Sequence, residues 1–286
     1  MKRFNKITII GVGLIGGSIG LAVRKRRLAK EVVGVFRRSS TLRRAVRRGA
    51  IDRGTMDMAD GVKGADLVVI ATPVSLIPIM VREAARHAKK GCVITDAGST
   101  KGWIVAESER AVSRRSGVFF VGSHPMADSE KTGVGSAVPG LLKDAACIVT
   151  KTGRTSGRAL RAVVGFWKAL GSRVSVMSPA AHDRSVSSIS HLPHMLAFSL
   201  AGSVDPSDLK YAAEGFRDTT RVASSDPELW ADIFLTNSKE IMSSSRCFLK
   251  TFKAVLSALA AGDRSKMGRL LGIGKAKRDS LYEKKG

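Results

Sequence analysis

The segment Gly122-Ser123-His124-Pro125-Met126-Ala127 puts a histidine in a short loop directly after the apolar run 118–121. An imidazole titrates near neutral pH, so a histidine there can accept the proton of an alcohol as hydride leaves its carbon. Position alone leaves two readings level: a general base, or a loop histidine bonded to a nearby carbonyl. Ser99 follows the apolar run 92–95 and either contacts substrate and cofactor or caps the helix beginning near Lys101, two compatible roles. Arg221, in Phe216-Arg217-Asp218-Thr219-Thr220-Arg221, offers a carboxylate clamp or an intrahelical pair with Asp218. His191 and His194 stand three apart on one face of a helix bent by Pro193. No further ligands are spaced to join them, so no metal is expected. His182 and His87 read as structural, one near a helix start and one on the solvent side of a helix.

Oxidation of an alcohol needs a hydride acceptor, and the chain opens with a candidate holder for one. Gly11-Val12-Gly13-Leu14-Ile15-Gly16 follows an apolar strand and begins a helix. Gly11 permits the turn, Gly13 lets the backbone approach a pyrophosphate, and Gly16 lets helix and strand pack closely. The N–H groups at the helix start, with Leu14 and Ile15 in its first turn, complete a dinucleotide cradle. Thr72 and Pro73, after another strand, lie at the same sheet edge as Ser99. At the tip of the second strand the chain reads Phe36-Arg37-Arg38-Ser39-Ser40, without the acid that binds the ribose 2′-hydroxyl of NAD. Arg37, Arg38 and Ser39 suit a 2′-phosphate, which favours NADP over NAD.

These residues need a scaffold, and the spacing of apolar runs supplies one. Strand-like runs at 7–10, 32–36, 67–71, 92–95, 118–121, 147–150 and 174–177 alternate with helical segments, which predicts an α/β fold with a doubly wound, mostly parallel, Rossmann-like sheet. After Ser178-Pro179 only helical patterns remain: 180–203 interrupted at Pro193, 227–261 and 264–282. The division is therefore 1–178, a dinucleotide-binding domain, and 179–286, an all-helical domain that binds substrate and pairs with a second copy.

The bulk properties agree with a soluble enzyme. The net charge is +24, with 32 basic against 12 acidic residues in 1–178 and 16 against 12 in 179–286. Such an excess attracts anions, either nucleic acid or a phosphorylated cofactor and an acidic substrate, or it is a solvated basic surface. The basic clusters lie on helical segments without interleaved aromatics, which argues against nucleic acid. Three scattered cysteines fit reduced cytoplasmic thiols. The uncharged run 7–23 mimics a signal peptide but carries five glycines and no cleavage site, so it belongs to the fold, and no stretch is long enough for a membrane span.

Taken together, the motifs resemble the prephenate/arogenate dehydrogenases of tyrosine biosynthesis. The resemblance covers nearly the whole chain and rests on GVGLIGGS at 11–18, ATPV at 71–74, TDAGSTKG at 95–102, GSHPMA at 122–127, SHLPH at 190–194 and FRDTTRVASSDPELWADI at 216–233. It implies oxidative decarboxylation of a dicarboxylate or amino-acid cyclohexadienol by NAD(P), in a homodimer built through the helical domain. It assigns His124 as the base for the 4-hydroxyl proton, Ser99 as a partner of that hydroxyl, Arg221 as a carboxylate ligand, and His194 and Ser129 as pocket residues. The family commonly has glycine where this chain has Asp128, a carboxylate that would favour the amino group of arogenate over the keto group of prephenate. Two other readings make different predictions. A related two-domain reductase of another small acid would turn over neither substrate, and a basic nucleic-acid-binding protein on this scaffold would bind DNA or RNA with steep salt dependence.

Overall fold

The computed structural model describes residues 3–113, 117–127 and 132–283. The strands β1 (Phe4–Ile10), β2 (Ala29–Val35), β3 (Arg53–Thr55), β4 (Leu67–Ile70), β5 (Val93–Asp96) and β6 (Phe119–Val121) form one sheet. All its pairings are parallel and the order is β3-β2-β1-β4-β5-β6. Apolar residues run on without alternating because both faces are covered. Ile7, Ile9, Leu67 and Val69 point to a cluster with Ile19 and Val23 of α1 (Leu14–Lys25) and Val163, Phe166 and Trp167 of α6 (Gly157–Ala169). Ile10, Val68, Ile70 and Ile94 face the opposite side. There they meet Val81 and Ala84 of α4 (Ile77–His87) and Ile104 and Val105 of α5 (Gly102–Ser113), and Val62 of the short α3 (Met58–Val62) joins them. The short α2 (Ser39–Arg47) follows β2.

The expected sheet is thus present, with two differences. The three-residue β3 carries too few apolar residues to stand out in the sequence. The last three strands form a separate sheet, β7 (Ser123–Pro125), β8 (Ala146–Thr150) and β9 (Arg173–Met177), in which β7 runs antiparallel to β8. His124 therefore sits on a strand, opposite Ile148, and not in a loop. The chain leaves β6 and changes sheets at Gly122, where a Cβ would lie 2.6 Å from Thr150 Oγ1.

Beyond Ser178 the structure is helical. α7 (Pro179–Val186) continues through a π-helical turn, Ser187–His191, into α8 (Leu192–Ser203). The irregularity precedes Pro193, which lies in the first turn of α8. Proline has no N–H for the carbonyl four residues back, and Leu192 N–H instead reaches Ser187 O, five back. The short α9 (Glu214–Thr220) and a 3₁₀ turn, Arg221–Ser224, lead to α10 (Pro227–Thr236), capped by Asp226. The helix expected over 227–261 breaks at Asn237, before α11 (Ser238–Ala260) and α12 (Arg264–Glu283).

By packing, the chain forms two compact units, Met1–Ser238 and Lys239–Gly286, the first of which runs on past the sheet into the helices. The reason lies in α7 to α10, whose buried groups are shared with the sheet. Trp230 and Ile233 belong to its second core cluster, and Asp183 caps α5. Within the second unit, α11 exposes Leu249, Phe252, Leu256 and Leu259 at helical spacing.

Candidate active site

A cleft of about 750 Å³ opens over the carboxyl ends of β1, β4 and β5, at the point where strand order reverses. Gly13, Leu14, Ile15, Thr72, Pro73, Ser99, His124, His194 and Arg221, all singled out from sequence, line it. Gly11 and Gly16 stand just behind and act through space and backbone. Gly11 has φ +87°, and a Cβ on Gly16 would come within 2.2 Å of Gly11 O. Gly13 differs, because a Cβ there would meet no atom within 4 Å. It is the N-cap of α1 without a side-chain cap, so donors at the helix start face an open space. That donor set fits a pyrophosphate. Arg37, Arg38 and Ser39 are exposed beyond the end of β2, outside the cleft lining, with Ser39 opening α2. Ser129 and Asp128 lie outside the described residues.

The other wall is built by the helices. α10 is pinned to the rim by Ser75 Oγ, which donates to Asp232 Oδ2 over 2.6 Å, and by the Thr100–Thr236 hydroxyl pair at 3.1 Å. Trp230, buried on α10, stacks on His194 with centroids 3.6 Å apart and planes 20° off parallel. His194 Nδ1 donates to the Ser190 carbonyl over 2.9 Å, which fixes the ring. His191, in the π turn, is fully buried and lies edge-on to Trp230. Its Nδ1 is 3.1 Å from the Asn237 amide nitrogen, the donor of the pair. Burial, seconded by His182, pushes the His191 pKa down to about 4. His191 thus supports the wall and does not line the cleft.

His124 is only 4% exposed. Desolvation, then the neighbouring His182, Lys101 and His191, hold its pKa well below the ordinary imidazole value, so it rests neutral. A neutral imidazole with one bare nitrogen is a proton acceptor. Beneath it Lys101, fully buried, pairs with Asp96, whose carboxylate also accepts from Gly98 N at 2.9 Å and Ser123 N at 3.0 Å. Burial lowers the Lys101 pKa against the opposing pull of Asp96.

Sequence reasoning gave Trp230, Lys101 and Asp96 no role, although all three fall inside quoted motifs. It also set His182 aside as structural. The structure instead puts His182 against His124, their ring nitrogens 2.8 Å apart, and completely buried. The signal in the sequence was the carboxylate immediately following it, Asp183.

The chain is similar to known proteins over nearly its whole length. The model described as prephenate dehydrogenase, nucleotide-binding domain, matches residues 19–176, and that described as prephenate dehydrogenase, dimerization domain, matches residues 178–273. The glycine loop at 11–16 precedes the matched stretch and rests on the geometry above. The chain is 35% identical to prephenate dehydrogenase of Bacillus subtilis (strain 168) over 282 residues, covering 96% of this chain and 76% of that protein. It is 33% identical to cyclohexadienyl dehydrogenase of Zymomonas mobilis over 273 residues, covering 92% and 91%. The crystal structure of prephenate dehydrogenase from A. aeolicus in complex with hydroxyphenyl propionate and NAD+ superposes with a TM-score of 0.91 at 30% identity, covering 98% of this chain and 99% of that one.

Proposed function

This chain belongs to the prephenate dehydrogenase family, and from that premise we infer how its cleft works and what it prefers. The reaction is the oxidative decarboxylation of a cyclohexadienol in tyrosine biosynthesis, with a nicotinamide as hydride acceptor. A nicotinamide dinucleotide held at the start of α1 would supply the acceptor for the hydride of the ring carbon that bears the hydroxyl. His124 accepts the hydroxyl proton, and the Ser99 hydroxyl bonds the same oxygen and holds it toward His124. As that carbon becomes carbonyl-like, the ring carboxylate leaves as carbon dioxide and its bonding electrons complete the aromatic ring, so the step does not reverse. Arg221 holds the side-chain carboxylate, while His194, braced on Trp230, forms the pocket wall. The observation that supports these roles most is the convergence of His124, Ser99, Arg221 and His194 on one cleft with the uncapped start of α1.

The substrate in this reading is prephenate or arogenate, the two compounds named for its relatives. NADP is preferred to NAD, because Arg37, Arg38 and the start of α2 at Ser39 offer donors to a 2′-phosphate where a carboxylate would repel it. Residues 1–178, the dinucleotide-binding part, also bring Ser99 and His124 to the substrate, and residues 179–286 supply the helical substrate-binding and pairing part. The apolar face of α11 suits pairing with a second copy. Among the described residues no helix is long and apolar enough to cross a membrane, and the enzyme is assigned to the cytoplasm as a small-molecule catalyst.

The test follows reduced-nicotinamide absorbance with prephenate and arogenate, each crossed with NAD and NADP. Turnover with neither substrate removes the proposal. Replacing Arg37 and Arg38 by Ala is expected to raise KM for NADP and leave KM for NAD, and equal effects on both remove the cofactor assignment. His124→Asn is expected to lower kcat by about a hundredfold or more while cofactor affinity stays unchanged. Full kcat removes the base assignment.

A further inference from the structure

Behind His124, on the side away from the cleft, two more polar side chains continue a buried line. His124 Nδ1 is 2.8 Å from His182 Nε2, and His182 Nδ1 is 2.8 Å from Asp183 Oδ1. The three residues are 4%, 0% and 5% exposed. Their hydrogen bonds acquire a direction from the far end. Burial would raise the Asp183 pKa, but hydrogen bonds from His182, Lys101 N and Gly102 N outweigh it and hold the carboxyl below its ordinary value, ionised. A carboxylate only accepts, so His182 Nδ1 carries its hydrogen. In neutral His182 the other nitrogen is then bare and accepts in turn. The hydrogen between the two rings therefore belongs to His124 Nδ1, and His124 Nε2 is left bare.

We propose that His182 and Asp183 are positioning residues of the reaction: they lock His124 in the tautomer whose Nε2 accepts the substrate proton, and the Asp183 carboxylate offsets the charge of the imidazolium that results. This rests on the reading of His124 as the base. The balance is simple. Nε2 gains the proton that the substrate hydroxyl loses, while the Nδ1 hydrogens of His124 and His182 stay in place. The positive charge on His124 is offset by Asp183 through the two polarised hydrogen bonds.

The remaining charged groups pull in opposite directions: Lys101 and His191 disfavour an imidazolium, whereas Asp96 favours one on His182. Lys101 and its partner Asp96 approach from β5 and the turn after it, Cys147 from β8, and His191 from the π turn. Burial and the Lys101 charge keep both imidazoles neutral at rest. The line from His124 to Asp183 then supplies the stabilisation needed only once the proton arrives. Capping alone does not account for the arrangement. Asp183 caps α5 through Lys101 N and Gly102 N, both at 2.7 Å, and that contact needs no second imidazole.

The unaltered enzyme gives the first test. Histidine ring-nitrogen NMR is expected to find the proton on Nδ1 of both His124 and His182, and a proton on His124 Nε2 in the resting enzyme overturns the proposal. Kinetics give the second. His182→Leu removes the acceptor and is expected to lower kcat on the order of a hundredfold, with KM and cofactor affinity little changed. His182→Gln, whose side-chain carbonyl can accept from His124 Nδ1, is expected to recover most of that loss. A packing role gives instead equal losses in both variants and a lower Tm, and that result overturns the proposal. Full kcat in His124→Asn defeats the base assignment and this inference with it. Loss in His124→Asn with full kcat in His182→Leu defeats this inference alone.

Discussion

Lys101→Met tests the buried charges under the site more sharply than any change in the cleft. Both members of the Lys101–Asp96 pair have fully buried side chains, so removing the ammonium leaves a carboxylate without its counter-charge. Breaking such a pair typically costs about 3–5 kcal/mol. Asp96 keeps its bonds from Gly98 N and Ser123 N, which puts the expected loss at the lower end, about 3 kcal/mol. For a unit of this size that lowers Tm by roughly 6–12 °C, measured by scanning calorimetry. The same substitution has a second, opposite-looking effect on chemistry. After burial itself, the Lys101 charge is among the causes that hold His124 and His182 below the ordinary imidazole range. Removing it should move the acid limb of the kcat profile to higher pH. Adding Asp96→Asn to Lys101→Met should restore part of the Tm, since the orphaned charge is gone. An unchanged Tm, or an acid limb that moves lower, refutes the electrostatic reasoning.

Gly13→Ala and Gly16→Ala should separate binding from folding. The first places a methyl in open space where phosphate belongs and is expected to raise KM for the dinucleotide about tenfold or more with Tm unchanged, whereas the second pushes a Cβ to 2.2 Å from Gly11 O and should lower Tm. Unchanged cofactor affinity in Gly13→Ala shows that the phosphates bind elsewhere. Acid should unfold the protein through its buried histidines. For His191 the folded pKa of about 4 lies below the unfolded 6.5, so the unfolded chain takes the proton first as pH falls. Its contribution is complete above the unfolded value and is lost between about 6.5 and 4, an amplitude of roughly 3 kcal/mol. Urea unfolding across that window should show the loss, His191→Gln should reduce it, and an equal loss in that variant refutes the assignment. Arg221→Gln should raise prephenate KM at least tenfold with a smaller change in kcat, as expected for a group that holds substrate and transition state alike. An unchanged KM rejects the clamp.

How much of this could be read from the chain depends on whether position along it fixes position in space. For the dinucleotide cradle it does. Gly11, Gly13 and Gly16 are local, and the apolar runs on either side dictate strand and helix. Thr72, Ser99 and the sheet edge they share follow from the parallel order. His124 was found as a residue but misplaced as a loop, because the switch of sheets at Gly122 depends on a clearance from Thr150 that no local pattern records. His182 was missed for a rotational reason. At about 100° per residue, His182 and His194 would stand about 120° apart on a regular helix. The π turn at Ser187–His191 absorbs one extra residue, and the separation closes to about 20°. His182 can then reach His124 while His194 faces the cleft from the same side of one continuous helix. Pro193 was the visible sign of that turn, but sequence reading took it as the bend. Its missing N–H acts one turn earlier, on the residues whose phase decides which histidines meet.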